Sequence, residues 1–140
     1  MNTLSTEFLE KCIRTLEVSF EHLLLAEDEK DDIGYEMYRN SFVKGFEMTL
    51  EQSGKLLRKK LVPYFANKKA ADQLMFKDIF RHASKHGLLE EDVVRRWLAY
   101  RDNRNNTSHD YGQIFAEQTA DLARELISDA KALVEVINHA

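Results

Sequence analysis

The sequence predicts an all-α domain, an antiparallel up-and-down bundle of four to five helices, and three observations predict it. Apolar residues recur at spacings of three and four along most of the chain. Only one proline and five glycines interrupt 140 residues, too few for the tight turns of a sheet protein. No segment shows strand-like alternation, and with short connections an antiparallel bundle is the economical way to bury such stripes. The length suits a single domain spanning 1–140, and an apolar content of 44% can fill one core.

The first stripe runs Leu4, Phe8, Cys12, Leu16, Phe20 and Leu23, widened by Leu9, Ile13 and Leu24, and the acidic cluster at 27–32 ends it. A second, long helix carries Tyr35, Tyr38, Phe42, Phe46, Leu50, Leu57 and Leu61; Pro63 stops it, because its ring cannot continue the hydrogen-bond ladder. Gly45 and Gly54 should each cost about 1 kcal/mol inside that helix, so close approach of another helix is the compensation to look for. Residues 67–72 are polar and read as a loop. A shorter helix follows with Phe76, Ile79, Phe80 and Ala83 inward and Gly87 as its C-terminal cap.

The next helix begins near Glu91 and Asp92, acids suited to a helix N-terminus, and turns Val94, Trp97 and Leu98 to one face. Continued by threes and fours, that face becomes Arg101, Arg104, Asn105 and Ser108, so the stripe changes from apolar to polar. Asp110 and Gln113 have capping-box spacing, and a last helix runs from there through Phe115, Thr119, Leu122, Leu126, Ala130, Leu133 and Ile137. Some of the aromatic residues could as readily cover a homodimer interface as a monomer core; periodicity does not separate the two.

Composition narrows the function. A net charge of −4 disfavours a surface coated in cations for long nucleic acid, although it leaves room for a local basic cleft. Cys12 stands alone, so no intrachain disulfide and no cysteine-based zinc site is expected. The opening MNTLSTEFLEKC lacks the pattern of a signal peptide, and no run approaches the roughly 20 apolar residues of a membrane span. The expected compartment is the cytoplasm, with no membrane association.

Residues 100–111 hold the densest chemistry. Arg104 offers a permanent charge and a planar donor fork suited to phosphate, and the imidazole of His109 exchanges a proton near neutral pH. In RNA the 2′-hydroxyl can attack the adjacent phosphorus, with His109 as general acid or base and Arg104 stabilising the developing charge. In an ideal helix these two side chains lie roughly 140° apart, so they converge only if the helix frays or ends between them. The weak helix formers Asn105, Asn106, Thr107 and Ser108 make an end there reasonable. The same spacing also arises on solvated helix faces.

Other groups stay open to two readings. His82 and His86 are four apart and could share a metal, yet no third ligand is evident; His22 and His139 stand alone. Glu47 and Glu51 share a helix face and either form a surface ladder with Lys55 or turn inward to orient Arg101 or Arg104. The run Arg58, Lys59 and Lys60 complements its helix dipole or assists phosphate binding.

Arg104 and His109 fit the R-x-x-x-x-H signature of HEPN domains, with Asn105 directly after the arginine, and Tyr111 extends it to the R-x-x-x-x-H-x-Y form of HepT-like toxins. Phe46-Glu47 with Glu51, Phe76-Lys77-Asp78-Ile79, Gly87-Leu88 and Trp97-Leu98-Ala99-Tyr100-Arg101-Asp102 resemble the nucleotidyltransferase substrate-binding subunits. The resemblance implies a HEPN-type bundle that forms a homodimer around the motif helices and cleaves RNA without a metal or other cofactor. It implies Arg104, His109 and Asn105 as catalytic residues, supported by Arg101, Ser108, Glu47 and Glu51 in holding RNA. It further implies a type VII-like toxin–antitoxin pair, in which a minimal nucleotidyltransferase antitoxin transfers AMP to Tyr111. Bulk and negative charge placed beside Arg104 would exclude an RNA phosphate. The alternative implied by the same resemblance is a non-catalytic substrate-binding subunit of a two-component nucleotidyltransferase.

Overall fold

Two long helices form the frame. In the computed structural model, which describes the backbone of residues 4–107 and 113–139 and the side chains of 4–104 and 120–139, α1 spans Glu7–Asp28 and α2 spans Asp32–Leu61. They run antiparallel. Ser19 meets Ser41 at 2.7 Å, and Phe20 lies 5.6 Å from Phe42 between ring centroids. A tight reversal joins them: Lys30 adopts a left-handed φ of 57°, and the Asp31 carboxylate accepts the backbone N–H of Gly34 to cap α2. The acidic run at 27–32 thus ends α1 through this geometry as well as through its charge.

Pro63 falls in a single 3-10 turn, Val62–Tyr64, directly after α2. The polar stretch expected as a loop instead contains a short helix, α3 (Lys68–Asp72), started by the Asn67 side chain accepting the N–H of Ala70 at 2.8 Å. Helix α4 (Phe76–Lys85) ends where Gly87, at φ 75°, lets the N–H of Gly87 and Leu88 reach the carbonyls of Ser84 and Ala83. Helices α5 (Glu91–Thr107) and α6 (Gln113–Asn138) complete the bundle.

Both glycines of α2 mark close approaches. A Cβ on Gly45 would stand 3.2 Å from the Cα of Leu16 on α1, and one on Gly54 would stand 2.9 Å from the Phe76 ring on α4. The second approach brings α4 against α2 and so positions α5, which packs on α4 through Phe80 and Trp97, stacked at 4.8 Å. Helix α6 closes the other side, running antiparallel to α1: Thr6 donates to Asn138 and Lys131 pairs with Glu17.

Trp97, Tyr100, Phe42, Phe46 and Phe80 are among the largest fully buried side chains. The inward edge of α1 is Leu9, Cys12 and Ile13, whereas Phe8 and Leu24, placed on the stripe by periodicity, are exposed. Of the last helix's expected stripe, Leu126, Ala130, Leu133 and Ile137 are buried and Leu122 is half-buried, while the side chains of Phe115 and Thr119, with Asp110, lie outside the described residues. Among the described residues there is no strand, and no helix is long and apolar enough to cross a membrane.

Candidate functional site

Helix α5 is clamped before it reaches the motif. Asp129, buried on α6, accepts two parallel hydrogen bonds from Arg96 at 2.9 Å each and a third from the Tyr100 hydroxyl at 2.5 Å. Burial, then the hydrogen bond to Asp129 and its charge, push the Tyr100 phenol above its usual range, so it stays a donor. Arg96's own hydrogen bonds to Asp129 likewise push its guanidinium above its usual range. Tyr100, at the edge of the chemistry-rich segment, is therefore a core residue: it is fully buried, with its ring edge-on to Trp97.

One turn on, the helix changes character. The Arg101 guanidinium lies 5.1 Å from the centre of the Phe76 ring, a cation–π contact, and Asp102 pairs with Lys77 of α4 at 2.6 Å. Arg104 reaches across to α2 and approaches the Glu51 carboxylate at 3.8 Å, with 29% of its side chain exposed. Glu51 does not turn inward: it is exposed on α2, and its nearest described cation is Arg104 of α5. Glu47 lines a shallow surface groove with Asn40, Val43 and Lys44, and Arg101 rests on Phe76 instead of on either carboxylate.

The helix continues through Thr107, so at least three of the four residues separating Arg104 from His109 are helical. Asn105 belongs to this helix, but its side chain lies outside the described residues, as do Ser108, His109 and Tyr111 entirely. The structure thus brings Arg101, Arg104 and Glu51 together at one end of α5.

The other candidates fall mainly to packing. His82 and His86 lie in a ring cluster, His86 stacked on Tyr64 at 4.2 Å and His82 edge-on to Phe65, and among the described residues no three His, Cys, Asp or Glu side chains are grouped to hold a metal. His22 stacks on Tyr38. Phe42 and Phe46 are core residues, and Tyr35 and Tyr38 pack against the core half-buried. The Lys60 ammonium donates to the carbonyls of Ile137 and His139, tying down the end of α6.

A family described as nucleotidyltransferase substrate binding protein like matches residues 7–139, nearly the whole chain. The chain belongs to this family. A curated relative from Haemophilus influenzae, named "Probable ribonuclease HepT", is 38% identical over 71 residues, which cover 51% of this chain and 47% of that protein. The matched segment thus spans about half the length of this relative. A solved structure, also from Haemophilus influenzae and described as revealing the fold of a substrate-binding domain of a nucleotidyltransferase, superposes with a TM-score of 0.76 at 25% identity, covering 95% of this chain and 98% of that one. The HepT-like resemblance and the all-α bundle therefore both stand.

Periodicity misses Asp129. It interrupts the apolar stripe of α6 beside Leu126, Ala130 and Leu133, and an acid at such a position signals a buried cationic or hydroxyl partner.

Proposed function

We propose that this protein is an RNA endonuclease of a toxin–antitoxin pair, working by internal transesterification without a metal. The observation that carries the proposal is the placement of Arg104: a half-buried guanidinium within 3.8 Å of the Glu51 carboxylate at the end of a clamped helix, in a chain similar to a relative named as a probable HepT ribonuclease. A guanidinium has five N–H donors, so one carboxylate can aim it while other donors meet a phosphate.

In this mechanism His109 takes the proton of a ribose 2′-hydroxyl. The 2′-oxygen forms a bond to phosphorus, the bond from phosphorus to the 5′-oxygen breaks, and the departing oxygen takes a proton from water. The products are a 2′,3′-cyclic phosphate and a 5′-hydroxyl end. Arg104 stabilises the charge that grows on the phosphoryl oxygens, and Asn105 positions the phosphate. Arg101, Ser108 and the Glu47–Glu51 face support RNA binding, and two copies of the chain form the working homodimer in the cytoplasm.

Control comes from a minimal nucleotidyltransferase antitoxin. The Tyr111 oxygen attacks the α-phosphorus of ATP, AMP is attached to it, and pyrophosphate leaves with the phenolic proton passing to solvent. The new phosphodiester competes with RNA for Arg104.

The purified protein should cleave RNA in the presence of EDTA and leave cyclic-phosphate ends. Incubation with a cognate minimal nucleotidyltransferase and ATP should add the mass of AMP to the wild type and not to Tyr111→Phe. Absence of cleavage by the unmodified protein would refute the nuclease reading.

A second reading is favoured by the likeness to a substrate-binding domain over nearly the full chain: a non-catalytic subunit that presents a substrate to a nucleotidyltransferase. Nucleotide binding without RNA cleavage or growth arrest would select it.

A further inference from the structure

The chain is acidic overall, yet the seam between α4 and α5 is not. A groove of about 370 Å³ opens there, lined by Arg81, Ser84 and Lys85 of α4 and by Val94, Arg95 and Leu98 of α5. Three cations face it against one lining acid, Glu91. Lys85 and Arg95 pair with no carboxylate among the described residues, and Arg81 has only an exposed contact to Asp78 at 3.4 Å. Between the cations the floor is apolar, formed by buried Val94 and half-buried Leu98.

We propose that this groove binds single-stranded RNA, its cations engaging backbone phosphates while a base lies on the Val94–Leu98 floor under an arginine plane. The inference rests on the nuclease reading and adds a binding track to it. Two cations without a carboxylate partner and a third with only an exposed one, beside an apolar floor, match a nucleotide, which is anionic at one end and flat and apolar at the other. A guanidinium serves both parts, because it donates to phosphate and stacks on bases.

Along its length the groove runs toward the motif end of α5, although Arg104, nine residues on from Arg95, lies on the opposite face of that helix, toward α2. On α5 the face that carries Arg95 and Leu98 continues, at helical spacing, to Asp102 and Asn105; on α4 the spacing of Arg81 and Lys85 reaches back to Lys77, which bridges to Asp102. From Arg95 to Asn105 the helix rises about 15 Å, a reach of a few nucleotides. A strand lying in the groove would therefore reach the motif end of α5 and would have to wrap around that end to meet Arg104. The bridge between Lys77 and Asp102 stands between the two segments and must open or be passed over.

The test uses Arg104→Ala as the background, so that binding is read without cleavage. A short fluorescein-labelled oligouridylate is titrated by anisotropy across a series of salt concentrations. Adding Arg81→Gln, Lys85→Gln and Arg95→Gln together should weaken binding at least about tenfold near physiological salt and flatten the salt slope by about 2, the change expected when three phosphates of a single strand are no longer neutralised. Arg81→Lys with Arg95→Lys should keep the slope, since charge is retained, and circular dichroism should show the same fold in all variants. If the oligonucleotide binds and the triple glutamine variant shows unchanged affinity and slope, the groove proposal is overturned while the nuclease reading stands. If the wild type neither binds nor cleaves RNA, the nuclease reading fails and the groove loses its ligand with it.

Discussion

The two halves of α5 are built on opposite principles. In the first half, Val94, Trp97 and Tyr100 are buried, and Arg96 is locked to Asp129 by paired hydrogen bonds. In the second, Arg101, Asp102 and Arg104 reach Phe76, Lys77 and Glu51 with solvent close by. Rigid packing sets where the helix points, and the polar half inherits that direction. The division separates a half that stabilises the fold from a half that contributes little to it, because a surface pair contributes about 0–1 kcal/mol whereas a buried one costs several to break.

Changes in the first half should therefore unfold the protein before they alter its chemistry. Trp97→Ala has the largest expected effect: loss of a fully buried indole stacked on Phe80 should lower stability by about 3–5 kcal/mol, read as a large fall in the midpoint of urea unfolding. Asp129→Ala comes next, at about 3 kcal/mol, since it leaves the Tyr100 hydroxyl buried without its acceptor while Arg96 stays partly in water. Tyr100→Phe removes the donor and keeps the ring, and should cost only about 1 kcal/mol. An Asp129 effect no larger than that of Tyr100→Phe would show that Asp129 does not clamp the helix.

Alkaline pH offers a reagent-free probe of the same clamp. The folded protein holds the Tyr100 phenol above its usual value, so the unfolded chain loses that proton first. Its stabilisation is complete below the unfolded value of about 10 and is lost as the pH rises above it. Thermal midpoints measured upward from pH 9 should fall more steeply for the wild type than for Tyr100→Phe; parallel curves would contradict this assignment.

In the second half the expected stability effects shrink and the functional ones grow. Glu51→Gln should shift the thermal midpoint by less than about 2 °C, because it removes one solvent-accessible ion pair at 3.8 Å. RNA cleavage should drop several-fold as Arg104 loses its aim. Unchanged cleavage would mean that the pair is incidental.

The same division explains what can be read from residue order alone. Apolar spacing, Pro63 and Gly87 locate helices because each acts within a few residues, and the glycines at 45 and 54 announce close approaches because a missing side chain has few other uses in a helix. The short helix α3 is hidden because its polar residues resemble a loop until Asn67 is recognised as a cap. Asp129 is hidden for a different reason: its meaning depends on Arg96 and Tyr100, which lie about thirty positions earlier and meet it only once α5 and α6 pack. At the site, the choice between Glu47 and Glu51 depends on the register between α2 and α5, which no local pattern encodes. Pairing Arg104 with His109 rests on the motif alone, since His109 lies outside the described residues.

The most direct test is RNA cleavage by Arg104→Ala and Arg104→Lys, with the thermal midpoint taken on the same samples. Arg104→Ala should lose at least about a hundredfold in cleavage rate, Arg104→Lys should recover only part of it, and both should melt within about 2 °C of the wild type. Wild-type cleavage by Arg104→Ala at an unchanged melting temperature would contradict the claim that this guanidinium stabilises the reacting phosphate.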